Sequence, residues 1–322
     1  LKNLFEKTSF AAVISQYPIT FFDVGARGGF DTGLWPFAFG VDAIGFEPNP
    51  IEFEVLRKQA PEIWRNVQIF PYAIGDAVGS QKLYIPSDPR AASLLPPLGE
   101  LPRHLDKQHF FHPVQNSDVE TTTLDNLVSH EDIAMPDYLK IDIEGPELAS
   151  LKASPSVLDS LLAVKIEVAF VQVRDNQPIA WEIESFMAEN GFMLMDLIEP
   201  AHWRAHGHVV HPHMSNKKIP YSRGQLVHGD YLFLRNPRAN NLTDKQIVKL
   251  GLISMGTGYF DFSEDLFTQQ GILDLMHFKN STEMTKALAD CSRLYGKATA
   301  RHEFVRHLRQ LGPYIRRVRN LL

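Results

Sequence analysis

The chain has 322 residues, 44% of them apolar and 22% charged, the composition of a globular protein with one large domain or two ordinary ones. Its 32 basic and 38 acidic side chains leave a formal charge of −6, which argues against a surface given over to polyanions, so no nucleic-acid partner is expected. A single cysteine, Cys291, excludes an internal disulfide and a cysteine-cluster zinc site.

No apolar run approaches the ~18 residues needed to cross a bilayer. The N-terminal stretch carries Glu6 and lacks the basic, apolar and small-residue zones of a secretion signal. The sequence is therefore read as soluble and cytoplasmic.

In chain order, residues 1–17 read as a helical lead-in. Residues 18–236 hold the strongest order, and 237–322 form a helical extension. Ile19-Thr-Phe-Phe-Asp-Val24 is a β-branched and aromatic strand ending in glycines, and Ala43-Ile-Gly-Phe46 is a second strand that stops at Glu47. Residues 50–60 put Phe53, Leu56 and Ala60 at helix spacing, with Pro50 in the first turn. Further strands are predicted at 67–70, 138–143, 161–168, 192–198 and 230–235. A helix is predicted from Trp181 to Asn190 with Gly191 as its cap. Two segments break the pattern. Residues 80–117 are rich in Pro, Ser and His and read as a long functional loop. Residues 200–227 carry five of the 13 histidines. Beyond Pro237, helices are predicted at 243–252, 263–280, 283–295 and 299–311. Arginines 301, 306, 309, 316, 317 and 319 make the tail locally basic, a candidate contact for a membrane surface. Homo-oligomerisation stays open.

Strand, glycine turn, helix and strand repeat as in parallel α/β proteins. The consecutive apolar positions fit a sheet covered on both faces. Ligands of such sheets bind beyond the carboxyl ends of the strands. Asp23, Glu47, Asp142, Glu144 and Glu167 would meet there.

The first turn reads Asp23-Val-Gly25-Ala-Arg27-Gly28-Gly29. Gly25 permits a tight turn, and Gly28 and Gly29 would let a helix start close to the strand with its N–H groups exposed. The turn lacks the full G-x-G-x-x-G pattern, and an acid precedes its first glycine. That acid suits an ammonium group better than a pyrophosphate. Glu47 follows Asp23 by 24 residues, near the ~20-residue offset of an acid that holds a ribose diol. An adenosine cofactor bearing an amine is favoured over a dinucleotide. A sterically required turn flanked by solvated acids is the alternative on these residues alone.

In Lys140-Ile-Asp-Ile-Glu-Gly-Pro-Glu147, the side chains of Lys140, Asp142 and Glu144 share one face if the strand continues. Polar alternation inside a buried strand is costly unless the groups are paired or wet, so a ligand-facing role is expected. Pro146 reads as a first-turn residue, and Glu147 is either a helix-start carboxylate or part of the site. Lys140 is expected to pair with Glu167. His202, His206 and His208 have metal-compatible spacing but no helix or hairpin to frame it. His208 or His211 is a candidate general base, since an imidazole titrates near neutrality. His104, His109 and His112 carry the same ambiguity.

Phe21-Phe-Asp-Val-Gly-Ala-Arg-Gly-Gly29, Ile44-Gly-Phe-Glu-Pro-Asn-Pro50, Ala73-Ile-Gly-Asp76, Thr123-Leu-Asp125 and Leu139-Lys-Ile-Asp-Ile-Glu-Gly145 occur in that order. Together they resemble the FkbM family of S-adenosylmethionine-dependent methyltransferases over roughly residues 18–236. The resemblance implies an α/β fold of the class I methyltransferase (Rossmann-like) type. Its mostly parallel sheet would have seven strands, the last of them antiparallel. It places Asp23, Gly25, Arg27, Gly28 and Gly29 around the methionine part of the cofactor, Glu47 on the ribose, Asp76 near the adenine and Asp142 at the boundary with the acceptor. It further implies methylation of a hydroxyl, of a sugar, glycan or glycolipid. Arg27 replaces the family's usual Asn, and Pro146 replaces a non-proline residue.

For transfer from sulfonium to oxygen, a base must take the acceptor's proton. Glu144 ranks first, Asp142 and Glu167 next and His208 last, with Lys140 holding one acid in its charged form. No metal is assigned, because the acids follow no metal motif. The competing readings are an NAD-dependent oxidoreductase or epimerase and a non-catalytic scaffold with a helical interaction tail.

Overall fold

The structure, a computed structural model, describes residues 1–59, 62–112, 114–209 and 217–319. Ala60, His211 and His213 lie outside the described residues.

A short helix α1 (Ala11–Gln16) leads into β1 (Ile19–Val24), and a 3-10 segment (Trp35–Gly40) leads into β2 (Val41–Phe46). Helix α2 (Pro50–Gln59), β3 (Asn66–Phe70), β4 (Ala73–Ile74), β5 (Gly79–Ile85), α3 (Gln108–Phe111) and β6 (Gln115–Thr122) follow. Next come α4 (Leu124–His130), β7 (Tyr138–Ile141), α5 (Glu147–Lys152), α6 (Pro155–Ser160), β8 (Ala163–Ala169), α7 (Ala180–Glu189), β9 (Phe192–Trp203) and β10 (Gln225–Arg235). The extension holds α8 (Asp244–Thr257), α9 (Phe260–Phe267), α10 (Gln270–Leu275) and α11 (Ser281–Arg319).

The main sheet runs β3-β2-β1-β7-β8-β10-β9, with β10 antiparallel to both of its neighbours and the other pairings parallel. This is the class I methyltransferase arrangement, with its last strand inserted antiparallel between the fifth and the sixth. All six residues of β1 are buried, as a central parallel strand requires.

One sheet face, bearing Phe22, Ile44, Leu139, Val164 and Phe233, packs against Leu127 of α4, Leu151 of α5, Leu158 of α6 and Ile183 of α7. The opposite face bears Ile19, Phe21, Val41, Tyr138 and Leu234. It is covered by Phe5 and Phe10 from the N-terminal segment and by Val248, Leu252, Phe267, Met284 and Leu288 from the extension. Lys249 of α8 is tied to Asp137 at 2.7 Å, and the same carboxylate oxygen accepts from Thr20 N–H at 2.9 Å.

Here the structure corrects the predicted elements. No α-helix begins at Gly28 and Gly29: both have positive φ, and the next helical turn is the 3-10 segment at Trp35. The sheet face that such a helix would cover still has to be buried, and the chain's two ends cover it. Residues 80–117 are not one long loop, because β5 and β6 pair antiparallel and, with β4, make a second sheet in the order β4-β6-β5. The 263–280 segment divides into α9 and α10, and the two last predicted helices are the single α11.

Candidate functional site

A cavity of about 440 Å³ opens at the carboxyl ends of β1, β2 and β7. Gly25, Arg27 and Gly28 line it from the first turn, Glu47 from the end of β2, and Lys140, Asp142 and Glu144 from β7 and the loop after it. Tyr72, Ile74, Leu83 and Leu94 supply apolar walls that the sequence did not reveal.

The first turn is set by a close approach. Gly25 sits at φ +80°, and a Cβ there would lie 2.0 Å from the backbone oxygen of Asp142. Asp142 N–H donates to the Val24 carbonyl at 3.1 Å, so the ends of β1 and β7 are locked together. Asp23 is fully buried behind this turn and does not line the cavity. One of its oxygens accepts from Asp31 N–H at 2.6 Å, and the other carries no hydrogen bond and faces Lys140 Nζ at 3.4 Å. Burial pushes the Asp23 carboxyl up to about 6, with Lys140 opposing.

Lys140 is the hinge of this end. Its ammonium donates to the Gly25 carbonyl at 3.1 Å and lies 3.5 Å from Asp142. Burial works against its charge, but Asp23, Asp142 and Asp31 outweigh that and hold the ammonium above its ordinary range. The expected pairing with Glu167 is absent: the parallel register sets Lys140 beside Asp23 on one strand and Lys165 on the other. Lys165 in turn bridges Asp31 at 2.8 Å and Asp230 at 3.2 Å.

Glu47 accepts from Asn49 N–H at 2.8 Å through Oε1, which leaves Oε2 without a hydrogen bond among the described residues. Burial raises its carboxyl above the usual range. Arg27 fixes the mouth, since its guanidinium donates to the Pro89 carbonyl at 2.5 Å and to Glu52 at 2.9 Å, so one cation joins the 86–96 loop to α2. Three residues placed around the cofactor by resemblance lie outside the lining: the buried Asp23, Gly29, and Asp76, which accepts from Gln81 at 3.0 Å.

A second cavity of about 100 Å³ adjoins the first, and Glu144 lines both. Phe110, Phe111, Trp203 and Val227 form its apolar side, and Glu167, Arg174 and His228 its polar side. Glu144 adopts φ +66°, a left-handed conformation that a non-glycine residue holds only when its surroundings impose it. β7 has already ended at Ile141, so the strand alternation predicted through Glu144 does not continue. Glu144 meets the buried Arg174 guanidinium at 2.5 Å, which also donates to the Ala91 carbonyl at 3.1 Å. Burial raises the Glu144 carboxyl, with Arg174 opposing.

Glu167 Oε1 faces His228 Nδ1 at 3.1 Å. Burial, then the nearby charges of Glu144, Asp142 and Glu147, push the Glu167 carboxyl well above its usual range. Burial pushes the His228 imidazolium down. Asp142, Glu144 and Glu167 each bring an oxygen within 4.8 Å of the others. Arg174 and His228 are the partners of the latter two.

Glu147 is structural, being buried and accepting from the N–H groups of Ile143 at 2.9 Å and Gly145 at 2.9 Å. Pro146 is the cap residue and Glu147 the first residue of α5. His208 lines neither cavity. Arg174, Trp203 and His228 were missed in the sequence. His228 lies two residues before the strand predicted at Asp230, and only the extension of β10 back to Gln225 brings it beside Glu167.

The residues present fit an amine-bearing adenosine cofactor. Asp142 and Lys140 offer an anion and a cation at one end, Glu47 an unoccupied carboxylate oxygen in the middle, and Tyr72, Ile74 and Leu83 an apolar slot.

The methyltransferase FkbM domain matches residues 23–194. No curated protein matches the chain. Similar solved structures include precorrin-6y C5,15-methyltransferase from Geobacter metallireducens GS-15, with 12% identity, 70% of this chain and 87% of that one covered, and a TM-score of 0.32. Magnesium protoporphyrin IX methyltransferase from Synechocystis PCC 6803, solved with bound SAM, has 11% identity, coverage of 71% and 78%, and a TM-score of 0.33. A SAM-dependent methyltransferase from Aquifex aeolicus has 11% identity, coverage of 72% and 93%, and a TM-score of 0.30.

Proposed function

Since the chain belongs to the FkbM family of methyltransferases and is an S-adenosylmethionine-dependent enzyme, we propose that it methylates a hydroxyl oxygen of a sugar, glycan or glycolipid. The observation that carries this reading is the pair of adjoining cavities that share Glu144. The larger is lined by Glu47, Lys140 and Asp142 together with the apolar side chains of Ile74, Leu83 and Leu94 and the ring of Tyr72. The smaller offers aromatic walls with a few polar groups, the usual make-up of a pocket for a neutral organic group.

S-adenosylmethionine, when bound, supplies an electrophilic methyl group on sulfur. The chain's own residues do the rest. Asp142 and Lys140 would hold the amino-acid end, and Glu47 would accept from the ribose hydroxyls. The apolar walls at Tyr72, Ile74 and Leu83 would hold the purine. Arg27 keeps the 86–96 loop in place over the site, and Gly25 keeps Asp142 in register with the turn. Asp23 acts from behind by fixing Lys140. Placing acceptor oxygen and methyl group in line accounts for much of the rate gain in such a transfer.

Calorimetric titration with S-adenosylhomocysteine tests the placement. Wild type should bind saturably. Glu47→Ala should weaken binding by roughly 10- to 100-fold, the worth of hydrogen bonds to a charged group. A folded wild type that does not bind would overturn the reading.

A further inference from the structure

The smaller cavity contains a base that the sequence did not announce. Among the described residues, His228 is the imidazole that lines either cavity. Its Nδ1 faces Glu167, and its Nε2 makes no hydrogen bond to a described residue. The ring stands edge-on to Trp203, with centroids 5.6 Å apart, so its orientation is held from two sides. The acids are worse placed to act as bases. Glu144 is engaged by the buried Arg174, whose guanidinium already occupies one of its carboxylate oxygens. Asp142 lies beside the Lys140 ammonium.

Resting on the methyl-transfer reading above, we infer that the smaller cavity is the acceptor subsite, that His228 takes the proton of the acceptor hydroxyl, and that Glu167 positions its ring. Trp203, Phe110 and Phe111 suit the C–H face of a single neutral pyranose, and Arg174 and Glu144 suit its hydroxyls.

In the step, a lone pair of the acceptor oxygen forms the new C–O bond. The C–S bond of the sulfonium breaks, and its electron pair stays on sulfur. The hydroxyl proton passes to Nε2 of His228. Glu167 stabilises the resulting imidazolium through Nδ1–H, and the half-exposed ring later returns the proton to water.

The probes are the methyl pyranosides of glucose, galactose, mannose and rhamnose. Without cofactor, they should quench Trp203 fluorescence saturably, and Trp203→Phe should abolish that quenching. With S-adenosylmethionine carrying a ¹³C-methyl group, wild type should methylate at least one probe. His228→Gln should bind S-adenosylhomocysteine like wild type yet lose roughly 100-fold or more in transfer, the usual worth of a general base.

Glu167→Gln should move the acid limb of the pH–rate profile, which a merely structural residue would not do. Asp142, Glu144 and Asp230, together with Arg174 and Lys107, are the other charged groups around the ring, and they stay in place in that variant. Transfer at the wild-type rate by His228→Gln would overturn the assignment of the base. Wild type that binds S-adenosylhomocysteine but neither quenches with nor methylates any probe would overturn the acceptor subsite alone. Wild type that fails to bind S-adenosylhomocysteine would overturn the underlying reading instead.

Discussion

Gly25 and Gly28 share the same backbone conformation, φ +80°, but not the same surroundings. A methyl group on Gly28 meets nothing within 4 Å, whereas one on Gly25 meets the Asp142 carbonyl oxygen. Gly28→Ala should therefore cost only the left-handed strain, about 1–2 kcal/mol. Gly25→Ala should cost more, because backbone at the end of β7 has to shift, and it should also weaken S-adenosylhomocysteine binding through Asp142. Urea denaturation of the two variants checks this, and equal midpoints would refute the account.

The turn was legible in the sequence because glycine, followed by an acid-bearing strand, leaves few alternatives. The ion pairs were not. Alternation alone suggested Lys140 with Glu167, but the strand register sets Lys140 against Asp23, and register is fixed by strands far apart in sequence. His228 and Arg174 were illegible for the same reason, since each matters only through a partner 61 or 30 residues away.

At the scale of elements, the link between β7 and α5 shows how a helix start serves the site. Glu147 folds back onto the N–H groups of Ile143 and Gly145, and so fixes the loop that carries Asp142 and Glu144. Burial raises its carboxyl from an ordinary 4.5 to about 7. With the folded pKa above the unfolded one, its contribution to stability is complete below about pH 4.5 and is lost as the pH rises to about 7. The loss should approach 3 kcal/mol, at roughly 1.4 kcal/mol per pKa unit. Glu147→Gln keeps an acceptor oxygen and cannot ionise. Urea denaturation between pH 5 and about 8 should show a smaller fall in stability for that variant than for wild type. Asp23 is raised in the same sense and contributes equally to both proteins, so it drops out of the difference. Parallel curves would show that the buried carboxylate costs nothing.

Strands were the most legible elements, because those buried on both faces read as continuous apolar runs. The second sheet was missed because β6 is largely exposed and polar and β5 is only half-buried, so little but their mutual pairing marks them.

For the whole molecule, the extension is part of the core. Val248, Leu250, Leu252, Ile253 and Met255 of α8, with Leu266 and Phe267 of α9, are buried against the sheet face that also buries Phe21 and Tyr138. Each such side chain is worth about 1.5–3 kcal/mol of burial, and a domain's net stability is only about 5–15 kcal/mol. Ending the chain at Asn236 should therefore abolish cooperative unfolding and expose a dye-binding apolar surface. Ending it at Gly296 removes none of these residues and should leave the melting transition cooperative. Circular dichroism melts with a hydrophobic dye distinguish the two truncations. A 1–236 fragment that melts like the full chain would mean that the second face of the sheet needs no cover, contrary to the packing of α8 and α9 upon it. The site depends on that cover. Tyr138 and Leu139 lie in the strand that carries Lys140, and Lys249 of α8 ties down Asp137 immediately before it. Loosening the extension should therefore weaken S-adenosylhomocysteine binding from the far side of the sheet, before any residue lining the cavities is changed.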